Sequence, residues 1–386
     1  MWRTWAVLGA VVVSLSCGAS AGASPTPTSV DHWGAYFGGD TSGQLDNVTP
    51  VSLPGDVKQV ASSNSDDYAL LKNGTVMAWG LGGNGELGNG GTSDALTTPV
   101  RVQFPAGVII KSLPTDAMPF DTGLAVDTHG NVWGWGENAT DELCSTTMNI
   151  LIPVELSLTN VSVVAGAGGH AYYDSNGKLY ACGVNQDDAL GDGSATPSLD
   201  PLPVAVALPA GTIVTRVFAS YVNGGALTST GAYYDWGANN NGQVGNGSTT
   251  AADVPVQVPL SGRVIKATQG GSIERNGQTI VMLSDHTLWA WGADSAGQLG
   301  DGGSSNRLSP IEVHSPVGVS YVKLSCGGWD CYAISTTGTV YSWGQNAWGQ
   351  IGNGSARSGL VLTPTPVDSG ATLLSATANS VVVGTP

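Results

Sequence analysis

The sequence predicts an all-β fold: a seven-bladed β-propeller of four-stranded antiparallel blades, closed by pairing of its N- and C-terminal strands. Three observations predict it. One short segment recurs seven times. Short apolar runs bounded by turn residues take the place of any helical pattern. The two ends of the chain each carry part of one repeat.

The clearest copy of the segment is YSWGQNAWGQIGNG, residues 341–354. Others begin at Trp291 (WGADSAGQLGDGG), Trp236 (WGANNNGQVGNGS) and Trp79 (WGLGGNGELGNGG). In all four a glycine stands six residues after the tryptophan: Gly349, Gly297, Gly242 and Gly85. An apolar residue follows two later: Ile351, Leu299, Val244 and Leu87. Three weaker copies fit the same ruler. Trp135 is followed by Asp141 and Leu143, Cys182 by Asp188 and Leu190, and Phe37 by Gly43 and Leu45. The anchors are therefore Phe37, Trp79, Trp135, Cys182, Trp236, Trp291 and Trp343, spaced 42 to 56 residues apart. Self-similarity at this period marks a repeat architecture. It also argues against a phosphate-binding loop, because no copy carries Gly-Lys-Ser/Thr or opens a helical pattern. The glycine six after the anchor is expected at positive φ, which glycine adopts freely and Asp is one of the few others to tolerate.

Upstream of each anchor runs strand, short loop, strand, turn, then the anchor strand, as in LSCGGWDCYAISTTGTVYSWG. Related stretches turn at Asn73-Gly74 and Asn176-Gly177, and Asn-Gly between apolar runs is a strong hairpin signal. Two residues before the anchor stand Trp133, Tyr180, Tyr234, Trp289 and Tyr341. Positions two apart share a sheet face, so these rings and the anchors are expected to pack one blade on the next. A small twisted sheet cannot bury both faces alone, and radial closure into a propeller removes the exposed ends. LLSATANSVVVGT (373–385) reads as the front half of a repeat, and VDHWGAYFG (30–38) as the strand it lacks.

The composition fits a secreted protein. Residues 1–23 read as a signal peptide, with Arg3, an apolar run from Ala6 to Leu15, then small residues; the run is too short to span a bilayer. Cys17 offers a lipid anchor as second choice, although Ser14 stands where a lipoprotein box has leucine. Residues 24–29 form a Pro/Thr-rich leader, and 30–386 the propeller. The localisation expected is secreted or cell-surface, with no transmembrane segment. Without Arg3 the chain has 12 basic against 29 acidic residues. Nucleic acid is therefore an unexpected partner, since phosphate binding needs lysines and arginines. The four remaining cysteines suggest two disulfides. Cys326 and Cys331 flank Gly-Gly-Trp-Asp between two strands, and Cys144 with Cys182 then pair by elimination.

No enzyme motif survives inspection. Gly18-Ala-Ser-Ala-Gly22 fits the nucleophile-elbow pattern but lies in the signal segment. The histidines at 32, 129, 170, 286 and 314 are scattered. Asn185 to Gly193 is acidic but lacks the alternating ligands of a calcium loop. No catalytic, cofactor or metal residues are expected.

These repeats resemble those of the regulator of chromosome condensation family, whose pattern is a Trp-Gly strand, an Asn, then Gly-Gln-Leu-Gly, seven times over. The likeness runs from Val30 to the C-terminus and fits a secreted bacterial-type member. It implies a seven-bladed propeller with a terminal-strand clasp. Founding members exchange guanine nucleotide on a small GTPase and bind chromatin, but no residue here matches their exchange-promoting insertion, and that activity is disfavoured. A second group with similar repeats, secreted by soil bacteria, inhibits β-lactamases through aromatics in the loop between the first two strands of each blade. Here those loops hold Trp329 and Tyr221; elsewhere they hold Asn64, Ser65 and Asp66, or Gly168, Gly169 and His170. The reading preferred is a monomeric, non-enzymatic scaffold for a protein partner of unknown identity. Trp329, Tyr221 and Trp348 are its candidate contacts, with Trp348 expected on a different part of the ring from Trp329.

Overall fold

The computed structural model describes residues 29–35, 44–63, 65–114, 118–119, 121–194, 198–271, 276–347, 349–354, 359–376 and 380–384. The segment 1–28 lies outside them. The described strands form seven four-stranded antiparallel sheets. Blades 1 to 5 span residues 57–101, 110–155, 161–205, 214–257 and 264–312. Blade 6 comprises Tyr321–Cys326, Asp330–Ser335, Val340–Gln345 and Leu360–Asp368.

Blade 7 is made from both ends of the chain. Leu373–Ala376 and Ser380–Gly384 supply its first two strands, Ser29–Ala35 its third and Gln44–Ser52 its fourth. The seam between the ends pairs Val30 with Gly384 and Gly34 with Ser380. This is the clasp expected from the half-repeats.

The register of that seam corrects one anchor. In blade 6 Gly344 pairs with Asp330, the first residue of the second strand, and Trp343 pairs with Cys331. In blade 7 Gly34 pairs with Ser380, so Trp33 takes the backbone position of Trp343. Phe37 is four residues too late, and lies outside the described residues. The spacing ruler failed there because the anchor is defined by its strand partner, which sits at the far end of the chain.

Between blades the core is built from the anchors. Trp79, Trp135, Trp236, Trp291 and Trp343 are fully buried, as is Cys182. Truncating one such tryptophan in a close-packed core costs about 3–5 kcal/mol. The tryptophans exclude neighbours: a Cβ on Gly123 would lie 2.0 Å from the Trp135 ring. The first strands of successive blades touch around most of the ring, which makes them the inner wall.

Candidate partner-binding face

The Trp-Gly pair has a backbone cause. The glycine after each anchor has φ between +101° and +123° in blades 1 to 6. A Cβ on Gly344 would lie 2.3 Å from Trp329 O, and one on Gly80 2.5 Å from Ser65 O. The close approach lets the next N–H reach the same carbonyl: Gln345 N–H donates to Trp329 O at 2.9 Å, and Leu81 N–H to Ser65 O at 2.9 Å. In blades 1 to 6 the 1–2 loop is thereby tied to the start of the 3–4 loop of its own blade, and both open on one face.

The 3–4 loops are tightly specified. Asn138, Asn185, Asn239, Asp294 and Asn346 accept, through the side-chain oxygen, the N–H of Leu143, Leu190, Val244, Leu299 and Ile351 at 2.9–3.2 Å. Those five apolar residues are fully buried. The residue six after the anchor has positive φ, from +75° to +93° at Gly297, Gly349, Gly242 and Gly85, and +57° and +65° at Asp141 and Asp188. The carbonyl before the buried apolar residue then receives the next blade's anchor. Trp135 Nε1 donates to Glu86 O, Trp236 Nε1 to Ala189 O, Trp291 Nε1 to Gln243 O and Trp343 Nε1 to Gln298 O, at 2.8–2.9 Å. Blade 3 has Cys182 instead of an indole, and there Tyr173 Oη donates to Glu142 O at 2.6 Å.

The candidate aromatics fall on this face. Trp329 is half-buried in the blade 6 loop, between the disulfide-bonded Cys326 and Cys331. Tyr221 is half-buried in the blade 4 loop, against Gly168 of blade 3. Trp348 lies outside the described residues. Its loop does not open elsewhere on the ring: it starts beside Trp329, through the Gln345 bond. The expectation of separate faces is corrected by strand direction, because in an antiparallel sheet the 1–2 and 3–4 connections share an end.

Beneath the loops lies a ring of polar groups, the first residues of the second strands: Asp66, Thr122, His170, Asn223, Gln278 and Asp330, all buried. Periodicity hid this ring, since its six positions carry five residue types; alignment on the glycine after the anchor, which is its strand partner, would have revealed it. His170 is pushed down to about 4 by burial, so it is neutral. The acidic side is on blades 1 and 2. Burial pushes Asp121 up to about 6 and Asp66 well above the usual carboxylate range. Ser65 Oγ sits between them, in contact with Oδ1 of each. One hydroxyl proton cannot serve both, so the second contact is favourable only when a carboxyl is protonated. Among the described residues no group of three or more His, Cys, Asp or Glu is arranged to hold a metal ion.

Seven blades closed by a terminal-strand clasp, with indole-to-carbonyl seams at four of the blade junctions, define a β-propeller of the repeat-built, seven-bladed class. The Regulator of chromosome condensation (RCC1) repeat matches residues 73–113, 230–273, 285–334 and 337–383. The chain belongs to the regulator of chromosome condensation repeat family. It is 30% identical over 285 residues to the ultraviolet-B receptor UVR8 of Arabidopsis thaliana, covering 72% of this chain and 62% of that protein. It is 27% identical over 306 residues to the E3 ubiquitin-protein ligase HERC2 of Homo sapiens, covering 75% of this chain but 6% of that protein. The chain thus spans less than two thirds of either relative. Among solved structures, Prp20p from Saccharomyces cerevisiae superposes with a TM-score of 0.78 at 18% identity, over 94% of this chain and 92% of that one. Human WBSCR16 superposes with a TM-score of 0.77 at 17% identity, over 93% of this chain and all of that one.

Proposed function

We propose that the protein is a secreted, monomeric, non-enzymatic scaffold that binds a protein partner through the face bearing the 1–2 and 3–4 loops. The observation that carries this reading is the pair of half-buried aromatics, Trp329 and Tyr221, on pinned loops of blades 6 and 4. A disulfide closes the Trp329 loop. Ser220 N–H donates to Asn223 O at 2.9 Å beside Tyr221, closing its loop. Rigid aromatic side chains lose little freedom on binding and are the residue types that dominate interface energetics. The acidic side of the face, around Asp121 and Glu137, favours a partner with basic groups.

Capture of partners from culture medium and cell surface tests this, comparing the parent with Trp329→Ala. Loss of a central interface tryptophan costs about 2 kcal/mol or more, roughly thirtyfold in affinity. Equal capture by a folded Trp329→Ala variant would remove this face from the reading. The same aromatics are the feature that inhibitor-type propellers use, which makes β-lactamase inhibition the second reading. Tight inhibition of a class A enzyme would establish it, and none at about micromolar concentration would dismiss it. Prp20p is described as binding Gsp1p and histones. Guanine-nucleotide exchange is the reading least supported here, and an exchange assay on a small GTPase checks it directly.

A further inference from the structure

The seven inner strands have a charge balance opposite to the rest of the chain. They are Val57–Ser62, Ile110–Ser112, Val161–Ala167, Val214–Ala219, Val264–Gly270, Tyr321–Cys326 and Leu373–Ala376. They hold Lys58, Lys111, Arg216, Lys266 and Lys323, five of the 13 basic residues, and none of the 29 acidic ones. In a protein of net charge −16, the wall around the axis is cationic.

Three of these cations occupy one structural position. Arg216, Lys266 and Lys323 each follow a bulge in the inner strand and pair with Leu227, Met282 and Ile334 of the second strand. They stand on three successive blades, 4, 5 and 6. The same position holds Gln59, Ser112, Val163 and Leu373 in the other blades. Arg216 is exposed, and Lys266 and Lys323 are half-buried. Burial lowers the Lys323 ammonium, and the charges of Lys266 and Arg216 lower it further. Burial lowers Lys266 too, with Arg216 adding to the effect. Arg216 acts on Lys323 although blades 4 and 6 do not adjoin. Among the described residues no carboxylate forms an ion pair with either lysine. Lys58 differs: its Nζ donates to Lys111 O at 2.5 Å, so it is already engaged on the blade 1–2 side.

Like charges gathered in a half-desolvated wall are unfavourable until an opposite charge joins them. We infer that the inner wall at Arg216, Lys266 and Lys323 is a binding site for a compact anion bearing several charges, of the phosphate or polycarboxylate class. The site is separate from the loop-bearing face. The triad lies toward the end of the inner strands remote from the 1–2 loops, so a protein on the loops and an anion at the axis can be held together. A compact ligand suits the triad because the three cations hold one strand position on three successive blades.

Isothermal titration of the full protein at low salt, with inorganic tripolyphosphate and separately with citrate, tests the site. The expected result is one-to-one binding that weakens as salt is raised. Lys266→Met/Lys323→Met should weaken it about tenfold or more, as expected for loss of charged contacts. Arg101→Gln/Lys178→Met, which removes cations outside the inner wall, should bind as the parent does. Preference for tripolyphosphate assigns the phosphate class, and preference for citrate the carboxylate class. If the double variant does not fold, Arg216→Gln at the exposed member replaces it, with the same expected direction. Failure of both anions to bind the parent with a Kd below about 1 mM, or undiminished binding by the folded Lys266→Met/Lys323→Met variant or its Arg216→Gln replacement, would overturn the site. Either failure leaves the partner-capture result untouched.

Discussion

Cys144 and Cys182 form a disulfide where blades 1, 3, 4 and 5 place a glycine against the next blade's tryptophan. Cys144 stands nine residues after its anchor; its counterparts are Gly88, Gly191, Gly245 and Gly300. A Cβ on any of these glycines would press on the next blade's tryptophan at 2.6–2.9 Å. Where that tryptophan is Cys182, the space is free and the glycine becomes Cys144, which keeps φ at +53°. A covalent staple replaces an aromatic seam between blades 2 and 3.

Opening that staple should cost more than opening the local one. On the chain-entropy model, a sequence separation of 38 corresponds to about 4 kcal/mol, and one of 5 to about 2 kcal/mol. Cys144→Ser/Cys182→Ser should therefore melt well below Cys326→Ser/Cys331→Ser. Thermal melts of both variants under oxidising conditions check the order, and coincident midpoints would contradict it.

Gly344→Ala should destabilise strongly and Gly107→Ala weakly. Both glycines have positive φ, but a Cβ at 344 meets the Trp329 carbonyl whereas nothing lies within 4 Å of one at 107. Strain alone costs about 1–3 kcal/mol; the collision adds to it at 344 and disturbs the Trp329 loop. Urea denaturation of the two variants reads the difference.

The indole N–H of the seam has its own worth. Trp291→Phe keeps most of the ring but leaves Gln243 O without its donor. A buried acceptor left bare costs about 1–3 kcal/mol. Tyr173→Phe, which removes the substitute donor to Glu142 O, should cost a similar amount. An equilibrium stability unchanged in both variants would show that the seam depends on packing alone.

Asp294 sets a pH dependence. It holds the loop position that asparagine fills in blades 2, 3, 4 and 6, and burial pushes its pKa up to about 7. Its folded pKa lies above its free value of 3.8, so ionisation opposes folding. That cost is absent below about pH 4, grows between about pH 4 and 7, and is constant above. Asparagine removes it and also supplies an amide donor, as Asn239 Nδ2 does to Ser248 O and Thr250 O. Asp294→Asn should therefore be more stable than the parent, by a margin that widens from pH 4 to pH 7. A margin independent of pH would contradict the assignment.

The sequence by itself determined what is local and repeated. The anchors at Trp79, Trp135, Trp236, Trp291 and Trp343, the positive-φ loop position and the blade count all follow from short-range turn chemistry and a period of buried side chains, which leave the same mark in every copy. The tertiary structure decided what depends on residues distant in sequence. Trp33 takes the third-strand position of blade 7 because its register partner across the seam is Val381, at the other end of the chain. Trp329 shares a face with the loop after Trp343 because antiparallel pairing folds that loop back to it. Arg216, Lys266 and Lys323 lie on successive blades, and no local pattern joins them; only the closing of the ring turns their inner strands toward one axis.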